Sequence, residues 1–162
     1  MTHAQAIVFD APGSLSVQTL ELKAFEPGDV EVEVTFSGIS TGTERLLWDG
    51  TMPPFPGLGY PLVPGYETVG QVVRAGPAAT VAVGSHVFIP GSYSFQGVRN
   101  IFGGAGARLI VPHDRVVPVA ADLGPKAVLL ALAATCYHAI AIGGQRQPLI
   151  APGLIVGHGV MG

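Results

Sequence analysis

The sequence predicts a mainly β protein: a barrel of about seven short strands, then one helix and the opening of an α/β unit. Three observations carry this. Twenty-three glycines and fourteen prolines are scattered without a fixed period, a composition that places many tight turns between short strands. The clearest pattern in the chain is a period-2 run in which Val30, Val32 and Val34 alternate with Glu31, Glu33 and Thr35, as in a half-buried antiparallel strand. After Asp122-Leu123-Gly124-Pro125 alternation gives way to an apolar run, Lys126 to Ile142, and then to Leu154-Ile155-Val156 leading into Gly157-His158-Gly159-Val160-Met161-Gly162.

Local chemistry places each element in turn. Gln5 to Phe9 is a short apolar strand ending at Asp10-Ala11-Pro12-Gly13, where proline presets φ and glycine accepts a positive one. Leu15, Val17, Thr19 and Glu21 alternate with Ser16, Gln18 and Leu20 in a second strand, and Glu26-Pro27-Gly28-Asp29 turns the chain into the Val30 run. The hydroxyl-rich break Ser37-Gly38-Ile39-Ser40-Thr41-Gly42-Thr43 leads to a short helical turn, Thr43 to Trp48, with Thr43 expected as its cap. Met52 to Pro64 carries five prolines and two glycines, too many for a ladder, while Phe55, Leu58, Tyr60 and Leu62 make it an apolar loop in need of a partner. Thr68 to Arg74, Ser85 to Ile89, Arg108 to Val111 and Val116 to Val119 are the remaining expected strands, and Gly91 to Gly106 reads as turns. A cap-like Asp122 and Pro125 open the run from Lys126 to Ile142, read as a buried helix closed by Gly143-Gly144.

Composition excludes several classes of function. The net charge is -3, with 8 Lys plus Arg and no basic run, so there is no electrostatic footprint for nucleic acid or an anionic membrane. Cys136 is the single cysteine; neither an intrachain disulfide nor a multi-cysteine zinc site can form, and a reducing, cytoplasmic setting is expected. Met1-Thr2-His3-Ala4-Gln5 lacks the basic and apolar segments of a signal peptide. The densest apolar stretch, Ala127 to Ile142, is interrupted by Thr135, Tyr137 and His138, and no integral membrane segment is expected.

Chemistry is expected where Leu62-Val63-Pro64-Gly65-Tyr66-Glu67-Thr68 delivers an aromatic hydroxyl and a carboxylate to a loop-to-strand boundary; a solvated turn is the plain alternative. Ser40, Thr41 and Thr43 supply hydroxyls that either cap the short helix or relay a proton. Ala131, Thr135 and His138 share a helix face by spacings of four and three, with His138 a candidate base and packing or capping its alternative. A strand followed by G-x-G-x-x-G lets the backbone approach a dinucleotide pyrophosphate at a helix N-terminus. Gly157, His158, Gly159 and Gly162 are therefore candidate cofactor-binding residues. The helix and acidic ribose-binding residue that complete this fingerprint do not follow, which reads as a chain cut inside a nucleotide-binding domain.

In this order of barrel, helix and fingerprint, the sequence resembles the medium-chain dehydrogenase/reductase superfamily over all 162 residues. The resemblance implies a GroES-like catalytic (substrate) domain over 1–124, and over 125–162 the connecting helix and truncated start of a Rossmann domain. Ser37-Gly38-Ile39-Ser40-Thr41-Gly42-Thr43-Glu44 sits where zinc members carry a Gly-x-Cys-Gly-Thr-Asp-like loop, and Gly65-Tyr66-Glu67 where they carry Gly-His-Glu. The ligand positions fall on Ser40 or Thr41, Tyr66 and Ala131, and the four-cysteine lobe is absent. Catalytic zinc needs three Cys, His or carboxylate ligands, so the resemblance is to zinc-independent members and no zinc is expected. Within them, Ser40 to Trp48 and Met52 to Glu67 closely resemble the dehydrogenases of bacteriochlorophyll synthesis, and Phe102-Gly103-Gly104-Ala105 and Val111-Pro112-His113 do so less diagnostically.

That resemblance implies oxidation of the 3-(1-hydroxyethyl) group of a chlorophyllide-type tetrapyrrole to an acetyl group, with hydride passing to NAD, in a phototrophic bacterium. Without zinc to lower the alcohol's pKa, a base or hydroxyl relay takes the proton; Tyr66, Glu67, Ser40, Thr43 and His138 are the catalytic candidates. Glu67 is alternatively a structural acceptor for a buried arginine. Thr135 matches a position that approaches the nicotinamide. Phe55, Leu58, Tyr60 and Trp48 offer flat apolar surface to a macrocycle, unless their loop only covers the barrel's own core. A homo-oligomer formed through the cofactor domain is implied, and these 162 residues alone are expected to be inactive. Two competing expectations remain: a zinc-free quinone or enoyl reductase of the same superfamily, and a non-catalytic GroES-like module that binds tetrapyrroles or proteins.

Overall fold

The computed structural model describes residues 2–142 together with Leu154, Gly157 and Gly159. The chain opens with an antiparallel hairpin of β1 (His3–Ala11) and β2 (Ser14–Glu21), turned at Gly13 with φ 71°. β3 (Asp29–Ser37) leads into the short helix α1 (Thr43–Asp49), followed by β4 (Leu62–Val63), β5 (Thr68–Ala75) and β6 (His86–Ile89). β7 (Arg99–Asn100), β8 (Arg108–Pro112) and β9 (Val117–Pro118) complete the strands. A 3-10 segment, Ala121–Leu129, then runs into helix α2 (Leu130–Ile142).

Two sheets result, ordered β2-β1-β4-β7 and β8-β3-β5-β6-β9. Between them lies the main core, in which Val8, Val30, Val32, Val63, Val87 and Leu109 are fully buried. Residues 105–107 stitch the sheets together: Ile7 N–H donates to Ala105 O (2.9 Å), Ala107 N–H to Gln5 O (2.8 Å) and Val34 N–H to Ala107 O (3.0 Å). That seam closes the barrel on the side of the loop after β3. On β3, valines alternate inward as expected, yet Glu31 is also buried, because Arg108 of β8 reaches it at 3.2 Å.

The structure corrects several expectations. Nine strands are described rather than seven, because β4 and β7 are two-residue strands inside segments read as loops. Pro61 and Pro64 flank β4 without removing its own N–H groups, so Leu62 pairs with Phe9 and Arg99 while Val63 pairs with Asn100. At the predicted helix start, Asp122 makes no side-chain cap, and Gly124 at φ 51° kinks the 3-10 segment before α2 begins. α2 is not a buried helix: Leu130 and Ala131 pack on Val69 and Phe88, but Tyr137 is 50% exposed. A helix apolar on all sides needs cover on all sides, and the described residues cover only its start.

Ala121–Ala141 is long and apolar enough to cross a membrane by length and composition alone, a property that the core helix of a globular protein shares. Asp122, the Gly124 kink, Pro125 and Lys126 occupy its first turns. Among the described residues about 15 follow, roughly 22 Å of helix against ~30 Å of hydrocarbon. The predicted closing Gly143-Gly144 lies outside the described residues, as does the strand at 155–156.

Candidate active site

The loop after β3, the first turn of α1 and the turn between β4 and β5 meet at one side of the barrel. Gly38 N–H donates to Glu67 O at 2.7 Å. A Cβ at Gly38 would lie 2.3 Å from Glu67 Oε2; only glycine lets the loop pass this close. Gly65, at φ 100°, turns the chain under Ala105. Thr68 Oγ1 then pins the turn by donating to Gly104 O at 3.0 Å.

Two short sequences face each other across this contact. Thr43 Oγ1 and Tyr66 Oη lie 3.2 Å apart, and beside them Glu44 and Glu67 repel each other. The Tyr66 ring stands edge-on to Phe102, with centroids 5.4 Å apart. Glu44 and Glu67 are 6% and 5% exposed. Burial pushes the Glu44 carboxyl up to about 7, the neighbouring Glu67 adding to the rise and the nearby backbone N–H dipoles of Glu44 and Ser40, outside hydrogen-bonding geometry, opposing it. Burial raises Glu67 as well. Neither Glu44 oxygen has a hydrogen-bond partner among the described residues. No described arginine pairs with Glu67; the described basic partners of carboxylates are Lys23, Arg45 and Arg108.

Thr43 is not the cap of α1. Gly42 holds the N-cap position, and Ser40 Oγ accepts the Thr43 N–H at 3.2 Å. Capping thus occupies Ser40 as an acceptor and leaves its O–H as a donor.

Against this cluster opens a cavity of about 820 Å³. One wall is the outer face of the β1–β2 hairpin, where Ile7 pairs with Val17 and Phe9 with Leu15. The facing wall carries Ile39, Ser40, Thr41, Glu44, Arg45 and Trp48. Ile7, Leu15, Val17 and Ile39 are 40–77% exposed. Such a volume suits a drug-sized or larger apolar ligand oriented by a few polar groups.

Of the expected catalytic residues, Ser40 fronts the cavity, whereas Thr43, Tyr66 and Glu67 form the layer beside it. Trp48 alone among the four expected substrate contacts lines it, edge-on to Phe9 at 5.8 Å. Leu58 and Tyr60 pack on a second core cluster of Phe9, Leu47, Leu62 and Ile101, Tyr60 donating its hydroxyl to Leu47 O. Phe55 is 37% exposed and not part of the cavity wall. Thr135 and His138 are exposed on α2, away from the cavity wall, with Thr135 Oγ1 donating to Ala131 O at 3.0 Å. Gly157 takes φ 94° and Gly159 is exposed, while His158 and Gly162 lie outside the described residues.

The positions at which the resemblance to zinc members implies metal ligands hold Ser40 or Thr41, Tyr66 and Ala131. Among the described residues no three His, Cys, Asp or Glu side chains converge. Hydroxyls and a methyl do not make a zinc donor set. Glu44 and the hairpin wall were not singled out by sequence reasoning: a glutamate in the first turn of a helix ordinarily sits in water, and the outward period of β1 and β2 gives no sign of what it faces.

Residues 26–121 match the family model of the alcohol dehydrogenase GroES-like domain. Over 99% of its length the chain is 50% identical to the 2-desacetyl-2-hydroxyethyl bacteriochlorophyllide A dehydrogenase of Rhodobacter capsulatus, covering 50% of that protein. It is 49% identical to the dehydrogenase of the same name from Cereibacter sphaeroides, covering 97% of the chain and 50% of the relative. The chain thus spans about half the length of these curated relatives. Among solved structures, a short chain alcohol dehydrogenase from E. coli CFT073 complexed with NADH superposes with a TM-score of 0.69 at 21% identity, over 90% of this chain and 47% of that one.

Proposed function

The chain belongs to the alcohol dehydrogenase GroES-like domain family, and from that premise we propose that it is the substrate domain of a zinc-independent, NAD-dependent dehydrogenase that oxidises the hydroxyethyl group of a bacteriochlorophyllide. The observation that carries this reading is the match to two dehydrogenases named for that substrate, together with a cavity wide and apolar enough for a macrocycle. The cofactor belongs to the part of the relatives' length that this chain does not span, joined through residues 125–162; the NADH bound by the structural neighbour supports a nicotinamide. Thr135 and the Gly157 turn are the residues of this chain proposed to approach it. The setting proposed is the cytoplasm of a phototrophic bacterium, with the whole protein an oligomer.

In this site the ring lies between the β1–β2 face and Ile39, and its hydroxyethyl oxygen meets the hydroxyls of Ser40 and Thr41. The hydroxyl pair of Thr43 and Tyr66 holds the loop in register behind them. A nicotinamide held near Thr135 and Gly157 would supply the hydride acceptor. The alcohol proton leaves to a protein group, since the described residues at this site offer hydroxyls and carboxylates within reach of it rather than a metal donor set.

The test is turnover of a 3-(1-hydroxyethyl) bacteriochlorophyllide with NAD by the full-length protein. Acetyl product and NADH in equal amounts are expected. Reduction of quinones or enoyl compounds with no oxidation of the chlorin would overturn the reading.

A further inference from the structure

Glu44 is the unexplained group of this site. It is 6% exposed, both carboxyl oxygens are buried without hydrogen-bond partners among the described residues, and yet the residue belongs to the wall of the cavity of about 820 Å³. A buried, unpartnered carboxylate is strongly disfavoured against its protonated form, so the group readily holds a proton. Its charged surroundings offer no relief. The turn packed against it contributes Tyr66 and another buried carboxylate, Glu67. On its own helix, Arg45 is committed to Asp49 at 3.3 Å. The hairpin residues across the cavity, Gln5, Ala6, Ile7, Phe9, Leu15 and Val17, carry no charge.

We propose that Glu44 is the final proton acceptor of the alcohol oxidation, its carboxyl group buried just behind the cavity wall that Ser40 and Thr41 front, so that the hydroxyl proton reaches it through their hydroxyls. This rests on the functional reading above. The balance is complete: the carbinol C–H bond breaks with its electron pair going to the nicotinamide, the O–H proton passes to a Ser40 or Thr41 hydroxyl as that hydroxyl gives its own proton to a Glu44 carboxylate oxygen, and a C=O bond forms. In the reverse direction the protonated carboxyl returns a proton to the ketone oxygen by the same path. Apolar surroundings and the like charge of Glu67 hold the Glu44 carboxyl at about 7, where a base both accepts and releases protons readily. Neither a carboxylate in water nor one locked in an ion pair has this property. Tyr66 and Thr43 then act as positioning residues, fixing the two halves of the site by their hydroxyl contact.

The experiment uses the full-length enzyme and its Glu44→Gln and Glu44→Asp variants, read by pH–rate profiles and by infrared titration of protonated carboxyl groups. Gln copies the protonated carboxyl in shape and is expected to leave KM within about twofold while lowering kcat about 100-fold. The rise of kcat/KM through pH 7 should disappear with it. Asp is expected to restore part of the rate. A protonated-carboxyl band that titrates near 7 in the wild type and is missing in Glu44→Gln identifies the acid without any substrate. If the chlorin is turned over and Glu44→Gln keeps the wild-type kcat and pH profile, this inference fails alone. If the band behaves as expected but the chlorin is not oxidised, the functional reading fails and the acid remains.

Discussion

A carboxyl group displaced from its usual range by burial ties the stability of the fold to pH. Glu44 binds its proton more tightly in the folded chain, at about 7, than in the unfolded one, near 4.5. Its contribution is therefore fully present below about pH 4.5 and is lost as pH rises through 7. The difference corresponds to at most ~3 kcal/mol, which water in the cavity screens to ~1–2. Thermal midpoints of the full-length protein should fall between pH 5 and 8, and Glu44→Gln should flatten that fall; equal slopes in both proteins would place the sensitivity elsewhere. Its neighbour gives a second test. At Gly38 an added methyl meets Glu67 Oε2 and Cβ, the latter at 2.8 Å, so Gly38→Ala is expected to cost ~1–3 kcal/mol in chemical denaturation by forcing the loop off Glu67. Little of this was legible in the chain. Tyr66 and Glu67 stood out as a boundary pair, but the role of Glu44 depends on a contact between residues 23 positions apart, which no local pattern encodes.

Elements were far easier to read than sites. The valines of β3 announce themselves by period, and the hairpin by Pro12-Gly13, because both depend on neighbours within a few residues. β4 escaped because its two residues become a strand only when β1 and β7 arrive on either side. The proline-rich segment after α1 shows the same division. Its apolar side chains did find a partner, but the partner is the protein's own second cluster around Leu47 and Leu62. Tyr60 is the deciding residue, since its hydroxyl donates to the Leu47 carbonyl and burial raises its pKa. Tyr60→Phe should lower stability by ~1 kcal/mol and leave KM for the chlorin unchanged. A raised KM with unchanged stability would return this segment to the substrate.

At the scale of the whole molecule the barrel has one surface that its own stability does not require. On a hairpin with one face in the core, the other face is ordinarily polar, yet Ile7, Leu15 and Val17 stand outward at 40%, 52% and 64% exposure and look across the cavity at Ile39. The seam at residues 105–107 holds that face at a fixed distance from the loop carrying Ser40 and Glu44, so a flat ring laid on the valine and isoleucine has its edge directed at the polar end. Replacing the cross-strand pair, Ile7→Ser with Val17→Ser, removes apolar surface that is 40% and 64% exposed and should lower stability by ~1–2 kcal/mol, leaving the fold intact. Each side chain loses part of the ~1.5–3 kcal/mol its full burial by the ring would contribute, which predicts about a tenfold weaker affinity. Absorbance titration of the full-length protein with the chlorin measures this directly, with Phe55→Ala beside it as the variant expected to bind normally. Weak binding by Phe55→Ala and normal binding by the hairpin variant would move the ring off the hairpin and onto the proline-rich loop.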